Sequence, residues 1–546
     1  MHDQPNAKAR TPAPEAATVE EDGPLAGRRE WIALAVLMLP LLLVSMDTSV
    51  LYFAVPFISR ELLPSASQQL WIFDIYGFVL AGLLITMGSI SDRIGRRRLL
   101  IIGTIAFGVA SVVAAYSTSP EALIGARALL GIGGATLMPS TLALVRNMFK
   151  NAKQRITAIT IWMSMLSLGV SIGPVVSGAL LNHFWWGSVF LINVPAVVLL
   201  VIIAPLLVPE FKDPNPNRFD VVSSFLSLAA VLPVIYGIQK AAADGFSIGP
   251  ILFVVVGLLV GIVFVWRQAA ISNPMIDLHL FRDRGFSSAI TINSMVMFVL
   301  IGFVLFTTQF LQSVLGLSAL SAALWSLIPS LAVGVAGPVA AILGMRMKRS
   351  HAIAVAFVIA AAGYTGQAQA TQDTHLWYIL TCAFISSTGV IMLLALVGDL
   401  LLASIPADRA ATASSISETG QQFGGALGMA VLGSIGAAVY RSSFGDQQPD
   451  GVPPSVLAVA KQTLGNAVSA AQELPAEGSS ALLRTARDAF SDGMFAAGLT
   501  AAGLLLIAAV LSVIFLRDVV PAGEPAAESQ TPVDHQAEPT KAPPVS

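Results

Sequence analysis

The chain has 546 residues, of which 55% are hydrophobic and only 11% charged, whereas a soluble domain is usually about 45–50% apolar and about 25% charged. This composition excludes an ordinary soluble protein, and because one helical membrane crossing takes about 20 apolar residues, it predicts a polytopic helical membrane protein. The formal charge of −2 and the single cysteine, Cys382, exclude a basic surface suited to nucleic acid, a disulfide within the chain and a multi-thiolate metal site.

The two ends of the chain are polar and rich in Ala, Pro and Glu. Residues 1–29 have no apolar segment before a small-residue cleavage site, so they lack the pattern of a secretory signal. We predict that residues 1–29 and 518–546 are disordered cytoplasmic tails, because such a composition buries too little apolar surface to fold.

Between the tails, apolar runs separated by short polar breaks predict fourteen transmembrane helices. These spans lie near residues 31–57, 69–90, 98–117, 121–145, 156–181, 187–208, 219–240, 248–266, 286–314, 319–343, 351–370, 375–402, 410–440 and 491–516. Loops after even-numbered spans carry most of the Lys and Arg residues, whereas the opposite short loops carry only Arg60 and Lys240. The positive-inside rule therefore predicts that both termini are cytoplasmic.

Spans 5 and 13 carry similar ridges of small residues. Span 5 has Gly169-xxx-Gly173-Pro174, and span 13 has Gly420-xxx-Gly424; such ridges let neighbouring backbones approach closely. If the two spans are equivalent, the chain consists of two related six-helix bundles, which is an arrangement found in secondary transporters. The predicted division is residues 30–208, an inserted helix pair at 209–267 (spans 7 and 8), and residues 286–517.

One segment between the predicted spans is long, from residue 441 to residue 490. Two stretches in it, 454–472 and 478–490, have helical character and flank a proline. We expect a helical hairpin on the external face, either as a structural cap or with a role in transport.

Charged side chains inside membrane helices are rare, because each costs about 2.5–3.5 kcal/mol or more to insert at the bilayer centre. Here they are Asp47, Asp74, Arg127, Asp399 and Glu418. Four acids and one base favour a cationic passenger, protons, or both. Asp399 lies near the end of its span, where an acid can simply reach water.

Asp74 is the most informative of these charges. Trp71 and Phe78, three residues before it and four after it, share its helix face, so a lipophilic cation would meet both charge and aromatic rings. A buried carboxyl group is equally suited to binding a proton. The alternative is an acid hydrogen-bonded to a neighbouring helix. For Asp47 and Glu418, the alternative to a role in transport is that nearby polar side chains simply form hydrogen bonds with these acids.

The turn between spans 2 and 3 combines glycine, acid and arginine. Gly88 and Gly95 permit a tight turn and close helix approach, and we expect Asp92 to cap the next helix and to pair with a base across the bundle interface. The alternative is that the arginines only follow the positive-inside rule. The basic and acidic residues of the turn are Asp92, Arg93, Arg96 and Arg97.

The sequence contains no enzyme signature. Gly131-Ile132-Gly133-Gly134 lies inside a predicted membrane helix and is not followed by Lys-Ser or Lys-Thr, as a phosphate-binding loop would be. The six histidines are scattered without ligand spacing. We therefore predict neither an enzyme, a cofactor nor a metal site.

Together, the Gly88–Arg97 turn, Arg127-xxx-Gly131 in span 4 and the span-5 ridge resemble the signature motifs of the major facilitator superfamily. Fourteen spans resemble its drug:proton antiporter branch, and the stretch from Trp71 to Tyr76 resembles the quaternary-ammonium exporters of that branch. The resemblance implies two bundles that rock about a central cavity. It also implies proton coupling at Asp47, Asp74, Arg127 and Glu418, cation binding at Asp74, Trp71, Phe78, Asp47 and Glu418, and gating by the turn together with Gly169, Gly173 and Pro174.

The implied function is proton-driven export of lipophilic cations, such as quaternary ammonium biocides and dyes, by a monomer in the bacterial cytoplasmic membrane. Export of lipids or other amphiphiles on the same fold is the alternative. A membrane-embedded transferase should show a polar catalytic cluster near one face, and a sensor should carry a folded soluble domain; the sequence predicts neither.

Overall fold

The structure is a computed structural model, and it describes residues 24–212, 220–244, 247–271, 274, 278–403, 410–447, 449 and 452–516. The regular elements of these residues are all helices. The predicted tails, apart from residues 24–29, lie outside the described residues, and so does the side chain of Asp399.

Long helices joined by short connections form the first part of the chain. They are α1 (Arg28–Leu62), α2 (Ala66–Ile94), α3 (Arg96–Ala115), α4 (Pro120–Met148), α5 (Ala152–His183), α6 (Ser188–Leu191) and α7 (Asn193–Leu207), followed by α8 (Val221–Asp244) and α9 (Ile248–Ala270). Polar residues begin several of them: Ser65, Ser119 and Asn151 each accept a hydrogen bond from a backbone N–H of the first turn, which satisfies one of the otherwise unpaired N–H groups of a helix start.

The second part of the chain continues in the same way. A short 3₁₀ helix (Leu278–Arg282) precedes α10 (Arg284–Gln309), which a π-helical turn extends to Val314. The following helices are α11 (Ala319–Trp325), α12 (Leu327–Ser330), α13 (Ala332–Arg346), α14 (Arg349–Ala368), α15 (Leu376–Ala403), α16 (Ala410–Asp446), α17 (Pro454–Ala460), α18 (Leu464–Ala471) and α19 (Ala476–Phe515).

Thirteen helical segments of the described chain are long and apolar enough to cross a membrane, or up to fourteen if α2, which bends by 54° near Thr86, is one span. The all-helical membrane fold is therefore confirmed. Apolar side chains such as Leu258, Ile262 and Trp266 on α9 are exposed, as expected for surfaces that face lipid.

Helix contacts recur between the two parts of the chain. α1 packs along α5 as α10 packs along α16, and α3 packs on α4 and α7 as α14 packs on α15 and α19. The two parts meet where α2 contacts α16 and where α5 contacts α11, while α8 packs on α9 and against both α2 and α16. α8 therefore covers the seam between α2 and α16.

The expected hairpin within residues 441–490 is only partly formed. The stretch 478–490 is not a separate helix but the beginning of the 40-residue helix α19, because no proline separates it from the last apolar run and the helix continues through Gly493. α17 and α18 make the rest of the segment. The Asn466 side chain donates to the backbone oxygen of Pro64 at 3.1 Å, and the Tyr440 hydroxyl to that of Ala460 at 2.8 Å, so the segment packs at the end of the bundle where α1 and α2 connect.

Candidate functional site

Asp47 of α1 and Arg127 of α4 form an ion pair inside the bundle, and both side chains are only 2% exposed. The Nε of Arg127 donates to the backbone oxygen of Ile72 at 3.1 Å. Its guanidinium group also lies 4.4 Å from the centre of the Tyr76 ring. One arginine therefore connects α4 to an acid on α1 and to the backbone and an aromatic ring of α2.

The energetic consequence of this pair depends on its burial. Removing two charges from water costs several kcal/mol per ion, and their attraction offsets the cost only when the geometry and hydrogen bonding are good. Arginine suits such a place because its planar group donates in several directions and stacks on aromatic rings. Arg127, the one base among the membrane charges of the sequence, thus lies beside the acid Asp47.

Asp74 of α2 lies in a different environment. Its side chain is buried, and its Oδ2 accepts a hydrogen bond of 2.6 Å from Nε2 of Gln239 on α8. Gln239 is itself only 2% exposed. The most informative acid of the sequence is thus hydrogen-bonded to the inserted helix pair. Its partner is a glutamine that the sequence did not single out, because the candidate residues were chosen by their charge.

Trp71 and Phe78 lie on the face of α2 that packs on the inserted helix, as their spacing from Asp74 indicated. The Trp71 ring lies 6.3 Å from that of Tyr236 on α8. Phe78 is buried in a cluster with Ile235 of α8 and Ala426 of α16. In this conformation, α8 and α16 cover the aromatic surface around Asp74.

Glu418 of α16 is half-buried and accepts a hydrogen bond of 3.2 Å from Nε2 of Gln422. The preceding Ser417 accepts one of 2.9 Å from Asn293 of α10. The structure therefore pairs Asp47 with Arg127, whereas Asp74 and Glu418 accept hydrogen bonds from two different glutamines, Gln239 and Gln422.

The span-5 motif packs directly on the helix that carries Asp47. A Cβ atom added at Gly169 would lie 3.1 Å from the backbone oxygen of Leu42, and one at Gly173 would lie 3.3 Å from that of Met46. The absence of side chains at these glycines allows α5 to pack at close range on α1 beside Ser45 and Ser49, and Pro174 follows Gly173 inside α5.

The Gly88–Arg97 turn differs from its prediction at the cap. The side chain of Asp92 accepts hydrogen bonds of 3.0 and 2.8 Å from Arg96, within the turn itself. The carboxylate of Glu210, which follows α7, instead accepts from the backbone N–H groups of Arg97 at 3.0 Å and Arg98 at 3.2 Å. The expectation that Asp92 caps α3 is therefore wrong, because Glu210 occupies that position.

Glu210 belongs to a short connection that crosses this turn. The backbone N–H of Arg96 donates to the oxygen of Phe211 at 2.9 Å, and the Arg97 guanidinium donates to the oxygen of Val208 at 3.0 Å. Gly95 adopts a φ of +113°, a region that favours glycine. Sequence reasoning missed Glu210, although an acid in a loop on the same side as the basic turn was a signal for it.

A further ion pair joins the two helices of the inserted pair, α8 and α9, at the start of α8. Arg267 of α9 donates to Asp220 at 2.9 Å, just before α8 begins. Burial raises the pKa of Asp220, but hydrogen bonds from Ser223 and Arg267 and the charge of Arg267 outweigh it, so the pKa lies below its ordinary value. Asp220 is thus held ionised at the base of α8.

A bundle of long apolar helices that contains an ion pair and further acids is typical of a membrane transporter. The chain belongs to the Major Facilitator Superfamily, whose family profile matches residues 37–429. It is therefore a transporter and not an enzyme.

Among similar proteins, the multidrug efflux pump LfrA of Mycolicibacterium smegmatis is 42% identical over 90% of this chain and 97% of its own length. The methyl viologen resistance protein SmvA of Salmonella typhimurium is 34% identical over 88% of this chain and 97% of its own. An inward-facing structure of a bacterial Spinster homologue has the same fold, with a TM-score of 0.60 and 18% identity over 90% of this chain and 98% of that one.

Proposed function

We propose that this protein is a proton-coupled antiporter that exports lipophilic cations, including quaternary ammonium compounds and dyes, across a bacterial cytoplasmic membrane. The proposal depends on the surroundings of Asp74, a buried acid whose polar partner among the described residues is an uncharged glutamine. An acid so placed suits a transient positive charge, either a proton or an organic cation. The similarity to a multidrug efflux pump, LfrA, and to a methyl viologen resistance protein, SmvA, supports the same passenger class.

In the proposed cycle, Asp74 binds the cation with Trp71 and Phe78 once α2 and α8 separate around it. Protons enter from outside and replace the cation, and they leave when the cytoplasmic side reopens. Asp47, Arg127 and Glu418 couple proton binding to this cycle. Arg127 does so through its ion pair with Asp47, because the protonation of Asp47 would weaken that contact and free the arginine.

The gate of the proposed cycle is the Gly88–Arg97 turn, with both termini on the same, cytoplasmic side. The two predicted six-helix bundles rock as units, with the inserted pair α8–α9 against the α2–α16 seam. Asp92 acts by holding Arg96 within the turn. The α5 ridge of Gly169, Gly173 and Pro174 keeps α5 against α1 through the movement.

The test is uptake of a fluorescent lipophilic cation into energised inverted membrane vesicles, with and without a proton uncoupler. The proposal expects uptake in the wild type, collapse with the uncoupler, and loss of uptake in Asp74→Asn. Asp446→Asn is the control, because Asp446 is an exposed acid at the end of α16, and it should transport normally.

Two outcomes would overturn the proposal. Uptake that persists after uncoupling would exclude proton drive. Uptake of a fluorescent neutral phospholipid but of no cation would favour export of lipids or other amphiphiles by the same fold.

A further inference from the structure

The contact between Asp74 and Gln239 leaves two buried oxygen atoms without a hydrogen-bond partner among the described residues. They are Oδ1 of Asp74 and Oε1 of Gln239, while Oδ2 of the same acid accepts from Nε2 of the same amide at 2.6 Å. Buried polar atoms are usually satisfied, and each exception has a cost. Two exceptions on one interacting pair call for a common explanation.

A proton supplies that explanation. An ionised carboxylate and an amide oxygen are both acceptors, so they cannot bond to each other. A protonated carboxyl group has one O–H donor, and it can form two parallel hydrogen bonds with an amide: the amide N–H donates to one carboxyl oxygen, and the carboxyl O–H donates to the amide oxygen. One proton on Oδ1 would thus satisfy both unpartnered atoms.

We propose that Gln239, on the inserted helix α8, is a positioning residue that pairs with the protonated form of Asp74 through two parallel hydrogen bonds. The inserted pair is then held more firmly to α2 when the proton is loaded and less firmly when the acid is ionised or occupied by a cation. This inference rests on the proposed function and deepens it, because it makes α8 the element that senses the state of Asp74.

The surroundings of the pair contain few competing groups. Tyr52 of α1 and Arg127 of α4 approach from the other helices, and Lys240 follows Gln239 on α8, 5.9 Å from the ring of Tyr236. α16 presents Ala426 and Ala430 to this region. No ion pair to Asp74 is formed by the described residues, which leaves the amide as its direct polar partner.

A second polar contact joins the same helices. The hydroxyl groups of Thr86 on α2 and Ser224 on α8 are hydrogen-bonded and buried. This contact does not depend on a titrating group, so it can keep α8 aligned with α2 in both states of Asp74. The Asp74–Gln239 contact is then the part of the α2–α8 interface that changes.

The experiment is infrared difference spectroscopy of the purified full-length protein, recorded on acidification and on adding ethidium at low pH. The wild type should show the carbonyl band of a protonated carboxyl group, which disappears in Asp74→Asn and decreases when ethidium displaces the proton. Gln239→Met, which is nearly isosteric, should move this band to higher frequency, because a carbonyl that loses hydrogen bonds vibrates faster. Gln239→Asn keeps an amide group, so its band should lie between the frequencies of Gln239→Met and the wild type.

Gln268→Met is the matched control. Gln268 is an equally buried glutamine of the same helix pair, and it donates to Ser223 at 2.7 Å rather than to Asp74, so the band should stay at the wild-type frequency. Gln239→Met should also slow proton-driven ethidium uptake by about five- to tenfold, which is the effect expected from one or two hydrogen bonds.

The inference is overturned if the band has the same frequency in Gln239→Met and the wild type, or if the wild type has no band that depends on Asp74. Either result can occur while vesicles still take up ethidium in a proton-dependent way, in which case the proposed function stands without it. Vesicles that take up no cation would instead overturn the proposed function.

Discussion

Glu210 caps the helix that carries Arg97: its Oε1 accepts the backbone N–H of Arg97 at 3.0 Å, across 113 residues of sequence. The acid lies in the connection between α7 and the inserted helix pair, and the arginine lies in the turn between α2 and α3. The connection that leads to the inserted pair therefore contacts the first bundle at this turn through Glu210, in addition to the contacts that α8 makes with α2 at Gln239 and Ser224.

Replacing Glu210 by Gln should lower both stability and transport rate. The change removes a negative charge from the start of α3, which is worth about 0.3–1 kcal/mol at an exposed helix terminus. The melting temperature in detergent should fall, and uptake of a lipophilic cation should slow while its equilibrium affinity stays unchanged. Glu477→Gln, at an exposed acid in the first turn of α19, is the control; an equal loss in the two variants would contradict a special role for Glu210.

Alanine should be tolerated at Gly88 but not at Gly95. A Cβ at Gly95 would lie 2.7 Å from the carboxylate of Glu210, on a backbone with a φ of +113°, and left-handed backbone costs an L-residue about 1–2 kcal/mol. A Cβ at Gly88 would only touch Pro139 at 3.8 Å. In a helix interior, alanine is more stable than glycine by up to about 1 kcal/mol. Melting temperatures should therefore fall for Gly95→Ala and stay level or rise for Gly88→Ala. The reverse order would contradict the positive φ of Gly95 and its close contact with Glu210.

Removing one member of the Asp47–Arg127 pair should destabilise the protein more than removing both. Arg127→Met leaves a buried charge without its partner, which costs about 3–5 kcal/mol, whereas apolar or neutral replacement of both partners is often nearly neutral. The double variant Asp47→Asn/Arg127→Met should therefore recover most of the melting temperature lost by Arg127→Met.

Proton coupling should not recover with stability in that double variant. Dye-induced proton release from proteoliposomes measures coupling separately from folding, and it should be absent in both the single and the double variants. Normal proton release from the double variant would assign coupling to other residues.

Cation affinity should rise with pH if a proton and a cation compete for Asp74. Protonation removes the charge that attracts the cation, so acidification should weaken binding, and the effect should vanish in Asp74→Asn. Asp74→Glu keeps the charge and should retain part of both binding and pH dependence. The affinity for a fluorescent monovalent cation should be measured between about pH 5.5 and 8.5, which covers the pH range in which a carboxyl group in an apolar site loses its proton. Wild-type pH dependence in Asp74→Asn would transfer the role to Asp47 or Glu418.

The sequence alone was sufficient for the fold class and for the charged residues. Apolar runs of membrane length and rare charges within them are local signals, because the cost of placing a charge in lipid applies whatever the neighbouring helix is. Asp47, Asp74 and Arg127 could therefore be identified from their own runs, and so could Gly95 of the α2–α3 turn.

Only the tertiary structure decided the partners. Arg127 had several acids available, and its pairing with Asp47 depends on how α1 and α4 are rotated and packed. Gln239 is 165 residues from Asp74 and carries no periodic or compositional signal that links it to that acid. The charge of Glu210 indicated a basic partner but not which backbone N–H groups it would accept from. The physical reason is that helical periodicity fixes which residues share a face, whereas the face opposite is chosen by the packing of helices that are distant in sequence.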